Sequence, residues 1–292
     1  MAAQPRSIQG TVVAITGGAR GIGKATAKAL VGRGAKVAIG DLDRELAEQT
    51  ATELGGDTLA LELDVTRRDS FEGFLDQVEE RLGSLDVLVN NAGIMPLGRF
   101  VDEDDVTARR MVDINVHGVM FGMKLALPRM QRRGTGHVVN LASQAGKSGF
   151  PGGATYCGTK HFVVGVSEAV RAELRGSGIE ISVVMPAVVN TELGSGLPET
   201  RAIKVLQPED VADAIVGALE RPKFDVWVPR ETVGLYKVLT LLPRGAREGI
   251  ARLLKADKVL ADADPNARSS YEERAAHSEP ALADETPETA KS

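Results

Sequence analysis

The sequence predicts an α/β fold, a doubly wound, mostly parallel seven-stranded sheet with helices on both faces and a C-terminal helical extension. Three observations point there. Seven apolar, β-branched segments recur along the 292 residues, and amphipathic helix-period segments separate them. The strand segments are apolar at successive rather than alternate positions, the pattern of strands covered on both faces. A glycine-rich turn, TGGARGIG at residues 16–23, joins the first strand to the first helix. Glycines there allow a tight turn, and amides at the new helix N-terminus face an anion such as a diphosphate.

The elements follow in order. The first strand spans 11–16 (TVVAIT), and the helix 21–33 begins with the helix formers of KATAKAL. The second strand, 35–40, delivers Asp41 at its end. Helix 43–54, strand 57–63, helix 68–82 and strand 85–89 complete a first mononucleotide-binding half that closes near Asn90. Helix 102–132, strand 136–142, helix 153–176, strand 179–185, helix 208–220 and strand 224–228 make a second half, expected to hold the chemistry. Right-handed crossovers and a phosphate loop after the first strand make this a Rossmann-type arrangement. No linker interrupts it, so residues 1–230 are expected to form a single domain.

Two regions fall outside the repeat. Residues 190–207 contain Gly and Pro and break every period, and a loop of that length inside a domain is commonly functional. Beyond Pro229, residues 231–260 place Leu235, Tyr236, Leu239, Leu241, Leu242, Leu253 and Leu254 among Arg244, Arg247, Arg252, Lys255 and Lys258. That pattern predicts one or two basic amphipathic helices packed on the domain or on a partner subunit. Residues 261–292 are polar and acidic and are expected to be disordered, so that truncation after Ala261 is harmless.

Composition narrows the function. A net charge of −5 gives no electrostatic case for binding nucleic acid. Cys157 is the only cysteine, which excludes an intramolecular disulfide and fits a reducing compartment. The four histidines lack metal-ligand spacing, so no metal is expected. Residues 1–10 lack the apolar core of a signal peptide, and no apolar run is long enough to span a bilayer, so a cytoplasmic location is expected.

Downstream, YCGTK at 156–160 sets the phenol of Tyr156 and the ammonium of Lys160 on one helical face, with Ser143 just after a preceding apolar strand. Together with TGGARGIG, Asp64-Val65, NNAG at 90–93, Asn115 and PAVVNT at 186–191, these residues stand in the order and spacing of a known family. Over about residues 8–230 the chain resembles the short-chain dehydrogenases/reductases.

The resemblance implies a nicotinamide cofactor held by Gly17, Arg20, Gly21, Ile22, Gly23, Asp41, Asp64, Val65, Asn91, Ala92, Gly93, Tyr156, Lys160, Pro186, Val189 and Thr191. It implies catalysis by Ser143, Tyr156, Lys160 and Asn115, the last holding a water that links Lys160 to solvent. Residues 190–207 become a substrate lid, with Ser143, Met95, Phe150 and Leu193 touching substrate. Asp41 favours NAD over NADP, because a carboxylate accepts ribose hydroxyls and repels a 2′-phosphate. Arg20 argues the other way, but Leu42 stands where an NADP-selective relative often has Arg. Tyr156 is expected to act as acid–base with its pKa lowered by Lys160, and Ser143 to steady the substrate oxygen. Ala187 and Gly158 depart from the family's usual Gly and Ala.

The leading expectation is an NAD-dependent oxidoreductase acting on the CH–OH or C=O of an apolar, lipid-like alcohol or ketone such as a sterol, a retinoid or a long-chain compound. A 3-oxoacyl-thioester reductase and a non-catalytic nucleotide-binding or scaffold protein stay open as alternatives. Helices 102–132 and 153–176 imply a homodimer or homotetramer. The extension is expected to cover the cleft or a partner subunit, with contact to an anionic membrane surface also open.

Overall fold

A computed structural model describes residues 4–198, 205–253 and 258–277. Seven parallel strands form one sheet in the order β3-β2-β1-β4-β5-β6-β7. They are β1 (Val12–Thr16), β2 (Lys36–Asp41), β3 (Leu59–Glu62), β4 (Val87–Asn90), β5 (Gly136–Leu141), β6 (Ile179–Pro186) and β7 (Asp225–Val228). The helices between them are α1 (Gly21–Val31), α2 (Arg44–Leu54), α3 (Arg68–Leu82), α4 (Asp105–Val112), α5 (Gly118–Arg133), α6 (Ala154–Glu173) and α7 (Pro208–Glu220). After the sheet come α8 (Thr232–Thr240), α9 (Arg244–Leu253) and α10 (Pro265–His277). This is the doubly wound Rossmann-type fold read from the sequence.

Strand composition follows from burial on two sides. Val13, Ile15, Val37, Ile39, Val89 and Val139 face α1 and α7, where Leu30, Val211 and Ile215 complete one core layer. Their neighbours Ala14, Ala38, Leu88 and Val138 face the opposite layer, which holds Phe71, Phe74 and Leu75 of α3 and Met123 of α5. Phe71 and Phe74 are completely buried and meet edge to face at 6.3 Å. Truncating either to Ala would cost about 3–5 kcal/mol. The chain order reverses between β1 and β4, and the cleft opens beyond the carboxyl ends of those two strands, as the switch-point rule requires.

Two expectations change. The single helix over 102–132 is broken by a π-turn, Asp113–His117, between α4 and α5. The second change concerns the acidic tail. Residues 265–277 form α10, and Arg268, Tyr271 and Ala275 on one face of it are buried. Averaged composition over 261–292 missed this because the packing face is mostly polar and its charge is satisfied by backbone carbonyls. Leu254, Lys255 and the acidic residues beyond 277 lie outside the described residues.

Helices α8 and α9 form as expected but do not reach the cleft. Tyr236 of α8 stacks at 4.9 Å on Trp227 of β7, while Leu235, Val238, Leu241 and Leu253 are exposed. Among the described residues no helix is long and apolar enough to cross a membrane, and no three His, Cys, Asp or Glu gather as a metal site.

A candidate nucleotide-binding active site

The glycine-rich turn is held from below. Thr16, ending β1, accepts the Asn91 and Ala92 N–H groups on its Oγ1, both at 3.0 Å. Asn91 Nδ2 donates in return to the Thr16 and Gly17 carbonyls at 2.9 Å. These bonds tie the loops after β1 and β4 into one floor. Gly17 has a φ of +62°, which disfavours any side chain. A Cβ on Gly23 would stand 2.2 Å from the Gly17 carbonyl, so helix and turn could not approach as they do. No side chain caps the N-terminus of α1, leaving its first amides available to an anion.

Beside this cradle, Asp41 at the end of β2 accepts the Ala19 N–H at 3.0 Å and the Asp43 N–H at 3.2 Å. Burial pushes its carboxyl above the usual value, and the two amides oppose that. Arg20 lies across the same mouth, paired with Asp43 at 2.9 Å and with Glu192 at 3.3 Å. It is thus ion-paired on both sides. At the far side Asp64 accepts both the N–H and the hydroxyl of Thr66, which fixes the loop that lines the cleft with Val65.

The reacting groups lie past β5. Ser143 is the N-cap of a short 3₁₀ turn, Gln144–Gly146, and its Oγ accepts the Ala145 N–H at 3.1 Å. Tyr156 and Lys160 stand one turn apart on α6, both buried. Lys160 Nζ donates to the Leu141 carbonyl at 2.9 Å and sits 5.7 Å from the Tyr156 ring centre. Burial pushes the Lys160 ammonium down to about 8. Burial also pushes the Tyr156 phenol up to about 12, against a hydrogen bond with Ser143 that lowers it. In the protein chain alone desolvation thus outweighs the Ser143 hydrogen bond, against the lowered phenol expected from the sequence.

The cleft encloses about 1080 Å³. Of the sequence-derived residues, Gly17, Arg20, Gly21, Ile22, Asp41, Asp64, Val65, Asn91, Ala92, Gly93, Ser143, Tyr156, Lys160, Pro186, Val189 and Thr191 line it, with Met95, Phe150 and Leu193 at the apolar end. Gly23 lies behind the turn. Asn115 lies behind the loop after β4, fully buried in the π-turn. Its Oδ1 accepts the Ile94 N–H, and its Nδ2 donates to the Ile94 carbonyl and to Thr159. Asn115 therefore braces the loop under the cleft. A Cβ on Gly93 would lie 3.0 Å from that Oδ1 and 3.6 Å from Lys160 Nζ, so a side chain there would crowd Asn115.

Sequence reasoning missed the C-terminal wall. Val259, Leu260, Tyr271 and Arg274 line the same cleft. Arg268, at 2% exposure, donates to the carbonyls of Met95, Leu193 and Ser195 and clamps the substrate loop to the loop after β4. Arg274 pairs with Glu192, which also holds Arg20. The available signal was helical spacing, with Arg268, Tyr271 and Ala275 at i, i+3 and i+7.

Comparisons with known proteins show the family. The short chain dehydrogenase family model matches residues 11–202. An uncharacterized oxidoreductase of Staphylococcus saprophyticus is 33% identical, with 74% of this chain and 93% of that protein covered. A 2,5-dichloro-2,5-cyclohexadiene-1,4-diol dehydrogenase of Sphingobium indicum is 35% identical over 73% of this chain and 88% of its own. Some relatives are longer, and the chain spans 45% of the probable oxidoreductase EphD of Mycobacterium tuberculosis. Among solved structures, the 3-ketoacyl-(acyl-carrier-protein) reductase of Brucella melitensis complexed with NADH superposes with a TM-score of 0.70 at 28% identity, covering 76% of this chain and 98% of that one.

Proposed function

This chain belongs to the short-chain dehydrogenase/reductase family, and from that premise we propose that it is an NAD-dependent oxidoreductase interconverting the CH–OH and C=O groups of an apolar, lipid-like alcohol or ketone. One observation carries the reading. Tyr156 and Lys160 are buried one turn apart in the same cleft that holds the uncapped N-terminus of α1 and the Asp41 carboxylate. The residues present fit a nicotinamide dinucleotide. The turn at 16–23 and the α1 amides suit the diphosphate, Asp41 the adenosine ribose, and Gly93 the passage between Asn115 and Lys160.

When bound, the nicotinamide accepts or delivers the hydride. The chain supplies the rest. Tyr156 exchanges a proton with the substrate oxygen, Ser143 donates a hydrogen bond to that oxygen, and Lys160 holds positive charge beside the phenol. Stabilising the phenolate by charge is worth more in this buried site than in water. The apolar end, with Met95, Phe150, Leu193, Val259 and Leu260, favours a substrate with a hydrophobic body. Asp43 and Glu192 pair with Arg20, and Asp41 feels its charge, which supports NAD over NADP.

Helix α10 adds Tyr271 and Arg274 to the wall of the cleft. We also propose a cytoplasmic homodimer or homotetramer formed through α4, α5 and α6, whose Phe162 is exposed. The test is a panel of secondary alcohols, sterols and retinoids with NAD and with NADP, followed at the nicotinamide absorbance. Turnover of apolar alcohols with NAD is the expected result, and no turnover of any member overturns the proposal.

A further inference from the structure

Tyr271 of α10 brings a buried hydroxyl to the cleft, whereas its neighbour Ser270, which also lines the cleft, is exposed. Tyr271 is buried at 8% exposure, and its ring carries the Arg268 guanidinium at 5.0 Å. That guanidinium is in turn fixed to the Met95, Leu193 and Ser195 carbonyls. The phenol oxygen accepts the Met95 N–H at 2.6 Å. Ring and oxygen are therefore locked from both sides, with little freedom to turn away. The oxygen is spoken for as an acceptor, while its own proton meets no acceptor among the described residues. The residue lines the cleft, so the hydroxyl is placed to donate that proton to an oxygen in the same space. Burial raises the phenol further above its ordinary value, opposed by the Met95 amide and Arg268, so it is a donor wherever the enzyme works.

We propose that Tyr271 is a specificity-determining residue that donates a hydrogen bond to a second oxygen of the substrate. The preferred substrates are then apolar alcohols or ketones bearing a further hydroxyl, carbonyl or ether oxygen away from the reacting carbon. This rests on the oxidoreductase reading above and narrows its substrate class. A preorganised donor in a dry pocket discriminates mainly against analogues that leave it unpaired. The packing of α10 supplies the preorganisation.

The experiment uses the full chain and Tyr271→Phe, with cyclohexanol set against the 1,2-, 1,3- and 1,4-cyclohexanediols. The readout is the ratio of kcat/KM for diol over mono-ol, together with the same ratio of affinities from calorimetry on NADH-loaded protein. The wild type is expected to prefer at least one diol, and that ratio is expected to fall about tenfold in Tyr271→Phe, the scale of one hydrogen bond. A purely structural role for Tyr271 would weaken both substrates alike and leave the ratio unmoved, which overturns the proposal. So does a wild type that favours no diol, a result that needs no variant to fold. If no alcohol turns over, the oxidoreductase reading fails, and the calorimetric ratio still decides for or against Tyr271.

Discussion

Arg268 Nη2 donates to the Met95 carbonyl at 2.6 Å across 173 residues of chain and, with the Met95 N–H that Tyr271 accepts, joins the last described helix to the wall of the cleft. The Arg268 side chain also reaches Leu193 and Ser195, so both loops at the apolar end depend on α10 for their position. Truncation after Asp264 should therefore lower the urea midpoint and reduce kcat/KM at least about tenfold. Arg268→Met, which keeps the volume, should cost about 3 kcal/mol by leaving one buried and two part-buried carbonyls without their donor. Both are read by urea denaturation beside steady-state kinetics. A shortened chain with unaltered stability and KM would show that α10 does not build the cleft.

Cofactor choice turns on Asp41. Its two oxygens take the Ala19 and Asp43 amides, which orient the carboxylate toward the cleft instead of letting it swing into solvent. Asp41→Ser with Leu42→Arg should move the kcat/KM ratio of NAD over NADP by at least about tenfold toward NADP, since each step of that size is about 1.4 kcal/mol. A wild-type enzyme that already prefers NADP tenfold contradicts the role given to Asp41.

Much of this was legible in the sequence because it rests on backbone requirements. A strand buried on both faces must be apolar throughout, and Gly17 and Gly23 stand where any Cβ would be strained or would clash. Tyr156 and Lys160 were legible through helical spacing alone. The phenol's upward shift was not, because desolvation depends on a closed cleft and not on local sequence. Nor was α10, whose buried face is an arginine, a tyrosine and an alanine. Arg268 reads as a surface charge until its three carbonyl partners, contributed by segments far away in sequence, are placed around it. The π-turn was likewise hidden, since residues 113–117 give no local sign of the wider turn that aims Asn115 at Ile94.

Lys160 links catalysis to stability. Its folded value is about 8 against an ordinary 10.5, so the folded state binds its proton less tightly than the unfolded chain does. Below pH 8 both states are protonated and the fold bears the full cost of a buried charge. That cost fades as pH rises from 8 to 10.5. Lys160→Met should thus stabilise the cofactor-free protein at pH 7 by up to about 3 kcal/mol, with the gain gone by pH 10.5. The Leu141 carbonyl, left without its donor, offsets part of it. Turnover should disappear in this variant, and Tyr156→Phe should lose at least about a hundredfold in kcat with little change in NAD affinity. Near-wild-type kcat in Tyr156→Phe would remove Tyr156 from the chemistry.

Acid sensitivity should arise far from the cleft, at His137 on β5. Its Nε2 lies 2.8 Å from Ser182 Oγ on β6. Ser182 gives its own proton to the Lys223 carbonyl, so the imidazole donates from Nε2. Burial first, and Arg6 second, push His137 down to about 3. Its unfolded value is near 6.5, so the unfolded chain binds a proton that the fold refuses anywhere between those values. The stability held above pH 6.5 is then lost as pH falls toward 3, on the order of 2 kcal/mol by pH 5. His137→Gln keeps a donor and cannot titrate. Its unfolding free energy in urea should fall less than that of wild type between pH 7 and pH 5. Identical falls in the two proteins would mean that His137 is charged inside the fold, and that burial does not hold it neutral.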